Sequence, residues 1–284
     1  MTRALVLGGG GPVGIAWESG LVVGLAERGI DLSVADRILG TSAGSNVGAR
    51  LALGHDLSTV AQARSTPQRS ESDAVGGPMG DRLAGLMEVM AQAMGHEGTP
   101  EEARALIGRF ALDADPMPEE RFTGVFADLA DQPWPAAFAC TAIRALTGEL
   151  VVWDADAGVD LHLAVSSSCS VPGIFPPITI DGERYIDGGM RSALNADLVA
   201  GADRAVVVSV MPTSMAGFAD VGGELAALRG SGTTVEVVEP DEAFLELAGM
   251  GAHLMDLHRG PQAYELGLAL ADQVADRVGV HWGG

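Results

Sequence analysis

The strongest constraint on the fold is a repeated order of strand, glycine turn and helix at the start of the chain. The strand-like runs at residues 4–7 and 36–39 are each followed directly by glycine. Each leads into a helical apolar pattern, the first over about 13–28 and the second to about residue 53. This order is typical of parallel α/β sheets. It predicts an α/β fold in which helices flank a central, mostly parallel sheet.

Sheet and helix patterns return in the second half of the chain. The apolar run at 205–210 has the composition of a buried parallel strand. The sequence predicts further strands at 136–143, 149–153 and 233–238, and helices at 160–168 and 261–278. There is no internal repeat and no convincing linker, so we expect one domain over residues 1–284.

Residues 55 to about 132 differ from the rest, because prolines and glycines separate short helical patterns at 81–94 and 101–110. We expect a helical insertion, or lid, at the edge of the sheet. Its first helix carries an apolar stripe formed by Leu83, Leu86, Met87, Met90 and Met94. Such a stripe either faces the core or forms a flexible, methionine-rich lip for acyl chains, and the sequence leaves both open.

The charge of the chain excludes one class of partner. The formal net charge is −21, and every basic residue is an arginine. Such a surface repels phosphate backbones, so we expect no nucleic-acid binding. It also disfavours docking on anionic membranes by charge, so any lipid is expected to be held by apolar contact.

The sequence predicts no metal, no cofactor and no membrane span. The two cysteines, Cys140 and Cys169, lie in apolar surroundings and are predicted to be buried thiols. No cluster of Cys and His has metal-ligand spacing. No signal peptide is visible and no apolar stretch is long enough to cross a bilayer, so we expect a soluble, cytoplasmic protein.

The residues at the end of the second strand fit a nucleophile elbow, Gly-x-Ser-x-Gly. The pattern is formed by Gly40, Thr41, Ser42, Ala43 and Gly44. In an elbow, a strained turn between strand and helix exposes the serine hydroxyl at a helix N-terminus, and small neighbours allow the close approach. The alternative is a helix N-cap serine in a tight turn. The preceding strand and the following helix favour the elbow.

The first strand ends in four consecutive glycines at 8–11. Consecutive glycines can present several backbone N–H groups to one concavity, which forms an oxyanion hole when it lies beside a nucleophile. Pro12 has no N–H, so the predicted donors are Gly9, Gly10 and Gly11.

The same glycines permit a second interpretation. Gly9, Gly11 and Gly14 have the spacing of a dinucleotide-binding fingerprint. That fingerprint requires an acidic residue at the end of the second strand. Here the strand runs into Gly40 and Ser42 instead, which removes the best support for nucleotide binding.

A carboxylate follows another strand-like run in the second half of the chain. Asp187 comes after Tyr185 and Ile186 and precedes Gly188 and Gly189. The two glycines leave a carboxylate free to point into a site without crowding. Taken alone, the same three residues are typical of a turn.

These elements in this order resemble the patatin-like phospholipase family, and in particular its bacterial acyl hydrolases. The resemblance rests on four motifs, which are the glycine loop 8–14, the elbow 40–44, a serine-rich helix with Pro-Gly-x-Phe-Pro-Pro at 166–177, and Asp-Gly-Gly at 187–189. The matches cover about residues 4–54 and 160–210. The resemblance implies a three-layer α/β/α arrangement.

The resemblance also implies a serine acyl hydrolase that cleaves lipid carboxyl esters, of the phospholipase A or lysophospholipase type. It implies a dyad without histidine, in which Ser42 is the nucleophile and Asp187 is its base. The expected partner is a lipid or another ester, with transient membrane contact through apolar surface. The implied supports of elbow and dyad are Gly40, Gly44, Gly188 and Gly189.

Two positions depart from the family pattern. The family carries a basic residue where this chain has Val13, and the segment after Gly189 lacks the family's proline. Arg191 in that segment is either a substitute positive charge or a solvated surface residue. Two other functions stay open, the first because of Val13 and the second because of the spacing of Gly9, Gly11 and Gly14. One is a catalytically inactive binding or regulatory protein of the same shape, and the other is a dinucleotide-binding oxidoreductase.

A triad of serine, aspartate and histidine is the alternative mechanism. His253 and His258 both follow Asp187 in the chain, in the order seen in α/β-hydrolases. Against it, the elbow comes on only the second strand. Both histidines also lie in a helical-looking region, where surface and capping roles are commoner. We therefore expect both to be dispensable.

Overall fold

A computed structural model describes residues 1–59, 78–114, 116–215 and 220–283 of the chain. Within these ranges one sheet of eight strands forms the centre of the molecule. The strands are β1 (Arg3–Leu7), β2 (Arg37–Gly40), β3 (Phe138–Arg144), β4 (Leu150–Trp153), β5 (Ile178–Ile180), β6 (Glu183–Asp187), β7 (Arg204–Val208) and β8 (Thr234–Val238).

The α-helices pack around this sheet. They are α1 (Gly11–Glu27), α2 (Ala43–Ala52), α3 (Pro78–Met94), α4 (Pro100–Asp113), α5 (Glu119–Thr123), α6 (Leu161–Ser168), α7 (Val221–Gly230), α8 (Glu242–Leu247) and α9 (Gly260–Gly283). The sequence patterns did not predict β5, α7 or α8, which are short. No described helix has both the length and the apolar composition needed to cross a bilayer.

The strand order is β5-β6-β3-β2-β1-β7-β8, with β4 paired to β3. The run β3-β2-β1-β7-β8 is parallel throughout. Strands β4 and β6 pair antiparallel with β3, and β5 pairs antiparallel with β6. The predicted α/β fold with a mostly parallel sheet is therefore confirmed. Strands β2 and β7 lie on opposite sides of β1, so the sheet grows first in one direction and later in the other. Such a topological switch point is where α/β sheets usually bind ligands.

Both faces of the parallel strands are buried. In β1, Leu5 and Leu7 face the main core, which includes side chains of α1, α2 and α9. Ala4 and Val6 face a second core, to which α7 contributes Leu225 and Leu228. Burial on both faces explains why these strands appear in the sequence as nearly continuous apolar runs.

Helices α1 and α9 pack against each other at glycines. A Cβ at Gly20 of α1 would overlap the Tyr264 carbonyl, and a Cβ at Gly267 of α9 would overlap the Trp17 carbonyl. Only glycine allows backbones this close. The last helix of the chain is therefore part of the main core.

In its described part the predicted insertion consists of helices and the turns between them, while residues 60–77 and 115 lie outside the described residues. Helices α3 and α4 form a third apolar cluster with residues on both sides of Asp187. Leu86 and Ile107 come from the helices, and Ile186 and Met190 come from the sheet and the turn after it. The insertion therefore supports the strand that carries Asp187, and its role as a lid stays a prediction.

The apolar stripe on α3 divides between its two expected roles. Leu86 is 6% exposed, whereas Met87 and Met94 are 66% and 64% exposed. Met90 is partly buried against the cluster. The predicted stripe is therefore not one face of the helix, because part of it is buried and part is exposed. The buried face of α3 is formed by Leu86, Val89 and Ala93 instead.

Candidate active site

The sheet brings the ends of β2 and β6 together. Gly40, the last residue of β2, pairs with Cys140 of β3, and Asp187, the last residue of β6, pairs with Ala142. Strand β4 occupies the opposite edge of β3 over this stretch, so β2 and β6 meet end to end along one edge. Ser42 follows Gly40 by two residues. Ser42 and Asp187 therefore converge although they lie far apart in the sequence.

Ser42 occupies a strained turn between β2 and α2. Its φ is 53° and its ψ is −114°, in a region that residues other than glycine rarely adopt. Glycines flank it of necessity, since a Cβ at Gly44 would overlap the Leu7 carbonyl and one at Gly40 would overlap the Ser45 backbone. Ser42 is also the N-cap of α2, where the helix dipole favours negative charge. This is the local geometry that a nucleophile elbow requires.

The end of α6 fixes the backbone of Ser42 through two side chains. The Ser42 N–H donates to Ser168 Oγ at 3.0 Å, and the Cys169 thiol donates to the Ser42 carbonyl at 3.1 Å. The next residue holds the partner strand, because the Asp187 N–H donates to the Ser170 carbonyl at 2.9 Å. Three consecutive residues, 168–170, thus position both Ser42 and Asp187. The serine-rich motif is visible in the sequence, but its role in positioning Ser42 and Asp187 is not.

The Asp187 carboxyl is 2% exposed and faces Ser42. Its Oδ1 accepts the Gly189 N–H at 2.7 Å. Its Oδ2 is buried without a hydrogen-bond partner of regular geometry among the described residues. The Ser42 hydroxyl nonetheless approaches closely enough to lower the pKa of the carboxyl. The contact is therefore looser than a full hydrogen bond, and catalytic hydrogen bonds often tighten only when a substrate binds.

Burial raises the pKa of Asp187 from its ordinary value of 3.8 to about 7, while Ser42 and the Gly189 N–H lower it by less. The carboxyl is thus close to half ionised at neutral pH. A carboxylate with a pKa near the working pH can take up and return a proton.

A second hydrogen-bonded link joins the residues beside Ser42 and Asp187. Asn195 Nδ2 donates to Thr41 Oγ1 at 3.1 Å and lies 3.4 Å from the Gly188 carbonyl oxygen. Thr41 Oγ1 also shares a hydrogen bond of 2.9 Å with Thr141 Oγ1. Thr141 leaves no room for a side chain at Gly188, whose Cβ would overlap the threonine hydroxyl. These buried groups fix the distance between the two strand ends.

The predicted oxyanion donors differ in the hydrogen bonds that their N–H groups already make. The Gly9 N–H donates to the Ala193 carbonyl at 2.8 Å and is already committed to the fold. The N–H groups of Gly10 and Gly11 donate to no acceptor within the described ranges, and neither does that of Ala43. The sequence could not reveal the bond at Gly9, because Ala193 is distant along the chain. The sequence prediction did not include Ala43, although it directly follows the predicted nucleophile.

Gly9 lies against Ser42 in another way. A Cβ at Gly9 would lie 3.5 Å from Ser42 Cβ, in ordinary van der Waals contact, and would meet no closer atom. Gly9 therefore leaves open the space directly beside the Ser42 side chain. Gly10 packs differently, since its Cβ would lie 2.5 Å from Val210 Cγ1.

Glu18 is a buried carboxyl that none of the sequence motifs includes. It lies on α1, is fully buried, and neither carboxyl oxygen has a hydrogen-bond partner of regular geometry among the described residues. Burial raises the pKa of Glu18 well above its ordinary value, and the nearby Gly8 backbone lowers it by less. A neutral acid is therefore favoured close to the start of the glycine loop.

Both departures from the family pattern have structural consequences. Val13 is fully buried in the main core, and its N–H donates to the Leu254 carbonyl at 3.1 Å. Arg191 is bound at 2.7 Å to Asp197 Oδ2 and at 2.7 Å to Asn195 Oδ1. Arg191 is therefore neither a solvated residue nor a free positive charge, because Asp197 neutralises it.

The two histidines of the alternative triad lie in the chain between α8 and α9. The His253 ring packs at Gly249, where it would overlap an added Cβ. His258 is exposed, and its backbone N–H donates to Asp256 Oδ1 at 3.1 Å. The neighbours that lower the pKa of Asp187 are Ser42 and Gly189, not a histidine.

A surface cavity of about 440 Å³ lies elsewhere, between α4 and the turn after β3. It shares no residue with the elbow, the glycine loop or Asp187. It is therefore separate from the site described above. It is lined by His96, Glu102, Ala105, Arg109, Leu146 and Thr147.

Residues 5–200 match the sequence pattern of the family described as patatin-like phospholipase. The chain belongs to the patatin-like phospholipase family. The matched stretch contains the glycine loop, the elbow, the serine-rich helix and Asp187, so the predicted resemblance is confirmed. Residues beyond 200, which include the last two parallel strands and α9, lie outside the patatin match.

Curated relatives of this patatin-like chain include two uncharacterised NTE family proteins, from Mycobacterium bovis and Mycobacterium tuberculosis. Each is 26% identical over 197 residues, a match that covers 69% of this chain and 27% of the relative. The chain thus spans about a quarter of the length of the curated relatives it matches.

Two solved structures are also similar to this chain. VipD from Legionella pneumophila has a TM-score of 0.40 at 16% identity, covering 76% of this chain and 51% of VipD. ExoU from the type III secretion system of Pseudomonas aeruginosa, solved in complex with SpcU, has a TM-score of 0.33 at 20% identity, covering 94% of this chain and 53% of the other.

Proposed function

We propose that this patatin-like protein hydrolyses carboxyl esters of lipids, with Ser42 as the nucleophile and Asp187 as the general base. The observation that carries the proposal is the convergence of a strained Ser42 and a buried Asp187 at the ends of β2 and β6. Membership of the patatin-like phospholipase family supports a lipid as the substrate. The reaction would be of the phospholipase A or lysophospholipase type.

The first half-reaction acylates Ser42. Asp187 takes the proton of the Ser42 hydroxyl as the oxygen attacks the ester carbonyl carbon. The C–O bond to the alcohol then breaks, the alcohol leaves with the proton from Asp187, and the acyl group stays on Ser42. In the second half-reaction Asp187 takes a proton from water, the resulting hydroxide attacks the acyl carbon, and the carboxylic acid is released as Ser42 regains its proton.

Burial makes Asp187 suitable for this role. An ordinary carboxylate, with a pKa near 4, is a weak acceptor for a hydroxyl proton. The pKa of Asp187, raised to about 7 by desolvation, makes the carboxylate a stronger base that is still substantially ionised at neutral pH. No histidine is needed in this scheme.

Backbone N–H groups would stabilise the charge that develops on the carbonyl oxygen. Gly10, Gly11 and Ala43 have backbone N–H groups that donate to no acceptor among the described residues, and they are the candidate donors. Loss of a single such donor typically costs ~3–4 kcal/mol of transition-state stabilisation. Because these donors belong to the backbone, they are kept although Val13 replaces the family's basic side chain.

Release of fatty acid from defined lipids tests the proposal. Wild type, Ser42→Ala and Asp187→Asn would each be incubated with micelles of phosphatidylcholine, lysophosphatidylcholine or monoacylglycerol, and free fatty acid quantified by mass spectrometry. We expect wild type to release fatty acid from at least one of them, and both variants to be slower by at least about 10³-fold. No release by folded wild type would favour the inactive binding protein instead.

A further inference from the structure

A segment outside the patatin match, residues 248–258, lies against the glycine loop. The Leu254 carbonyl accepts the Val13 N–H at 3.1 Å. A side chain at Gly11 would come within 3.0 Å of Met255 Sδ. Met255 therefore borders the loop whose unpaired N–H groups are the proposed oxyanion donors. Gly9 of the same loop lies beside Ser42, so the glycine loop connects this segment to the proposed nucleophile.

The same segment holds an exposed apolar side chain on a strained backbone. Met250 has φ 53° and lies between Gly249 at φ 55° and Gly251 at φ 101°. A residue other than glycine is strained in this left-handed region. The Met250 side chain is 58% exposed, so burial within the protein does not offset the strain. Leu257, in the next turn of the segment, is 47% exposed.

Charge does not explain how a lipid is held here. The chain carries a net charge of −21 and has no lysine. The arginine next to the segment, Arg259, is paired with Asp256 Oδ2 at 2.9 Å and also donates to the Leu247 carbonyl. Apolar contact is the interaction that this segment offers to a lipid.

We propose that Met250, Met255 and Leu257 form the contact surface for the acyl chain of the ester substrate and set its chain-length preference. This inference rests on the proposed function. With the carbonyl carbon at Ser42, the acyl chain passes Gly11 and lies across the two methionines and the leucine. Methionine suits such a surface because its unbranched side chain adapts to flexible apolar ligands.

The test compares two esters that differ only in the acyl chain, 4-nitrophenyl butyrate and 4-nitrophenyl octanoate, each below its solubility limit. The measured quantity is the ratio of kcat/KM for the long ester to kcat/KM for the short one. Three proteins are compared with wild type: Met250→Gly, Met250→Gly with Met255→Ala, and Val280→Ser. Glycine suits the backbone at position 250, so the single variant is expected to fold.

We expect the ratio to fall several-fold in Met250→Gly and about tenfold or more in the double variant, with little change for the butyrate ester. Val280→Ser is the matched control. Val280 is 79% exposed and precedes His281, whose carbonyl binds Arg204 at the start of β7, the end of the sheet away from Ser42. Its ratio should equal that of wild type.

An unchanged ratio in folded Met250→Gly and in the folded double variant overturns the acyl-chain surface while leaving ester hydrolysis intact. If the double variant does not fold, Met250→Gly alone decides. Folded wild type that hydrolyses neither ester and releases no fatty acid from the lipids overturns the proposed function, and the acyl-chain surface with it.

Discussion

Ser42 and Asp187 are both hydrogen-bonded to one short segment at the end of α6. The Ser42 N–H donates to Ser168 Oγ at 3.0 Å, and the Asp187 N–H donates to the Ser170 carbonyl at 2.9 Å. The end of α6, which is separate from both β2 and β6, thus sets the distance between the proposed nucleophile and base.

Replacing Ser168 should loosen this arrangement. Ser168→Ala leaves the buried Ser42 N–H without its acceptor, which typically costs ~1–3 kcal/mol. We expect kcat to fall about tenfold on a soluble ester, with KM nearly unchanged, because the nucleophile rather than the substrate is displaced. Ser166→Ala on the same helix is the matched control, since among the described residues Ser166 Oγ bonds only the His162 carbonyl. Equal kcat values in the two variants would rule out a positioning role for Ser168.

Gly9→Ala should block the site without unfolding the protein. The added methyl would lie 3.5 Å from Ser42 Cβ and clash with nothing. It would fill the space through which a substrate carbonyl approaches Ser42. We expect the melting temperature to stay within about 2 °C of wild type and kcat/KM to fall at least about 100-fold. Thermal melts and ester hydrolysis measure the two effects.

Gly44→Ala is the contrasting variant. Its methyl would overlap the Leu7 carbonyl, so the elbow cannot form without displacing β1, and we expect a loss of several kcal/mol. Gly230→Ala, at the end of α7 with open space around it, should be neutral or slightly stabilising.

A Gly9→Ala protein that hydrolyses esters like wild type would show that the space beside Ser42 is not the substrate path.

Activity should rise with pH through about 7. Asp187 must be ionised to accept the Ser42 proton, and burial raises its pKa to about 7. We therefore expect kcat/KM to increase tenfold per pH unit below pH 7 and to level off above it. A plateau that already begins near pH 5 would mean that Asp187 is not the titrating base.

The same pKa shift predicts how stability depends on pH. The folded-state pKa of Asp187 lies above its unfolded value of about 4, so the folded protein binds the proton more tightly. This contribution is fully present below pH 4 and is lost as pH rises to 7. Asp187→Asn removes the buried charge, so its melting temperature should exceed that of wild type by several degrees at pH 8, and this advantage should vanish near pH 4.

His253→Ala and His258→Ala should keep turnover within about twofold of wild type, because the neighbours that shift the pKa of Asp187 are Ser42 and Gly189. The measurement is kcat/KM on a soluble ester, with folding checked by circular dichroism. Loss of turnover in either folded variant would replace the dyad with a triad.

The sequence predicted those parts of the site that depend on local pattern. The apolar runs before Gly8 and Gly40 form β1 and β2, and the small residues around Ser42 form a strained turn as expected. These features are determined by residues within one turn or strand. A periodic pattern and a steric requirement for glycine are therefore enough to find them.

The rest depends on contacts between distant parts of the chain. Nothing near Gly9 in the sequence indicates that Ala193 would take its N–H. Likewise, the register that places Gly40 and Asp187 along one edge of β3 arises from pairing with Cys140, 100 residues after Gly40, and with Ala142, 45 residues before Asp187. These contacts form only when distant strands assemble into one sheet, so a local sequence pattern cannot reveal them.

The most direct measurement is the intact mass of the protein after incubation with a fluorophosphonate, for wild type and for Ser42→Ala. A serine activated by a base and an oxyanion hole attacks this reagent and keeps the phosphonyl group. We predict a single adduct on wild type and none on Ser42→Ala, with both proteins folded by circular dichroism. A folded wild type that stays unlabelled, or a Ser42→Ala protein that is labelled equally, would contradict Ser42 as the activated nucleophile.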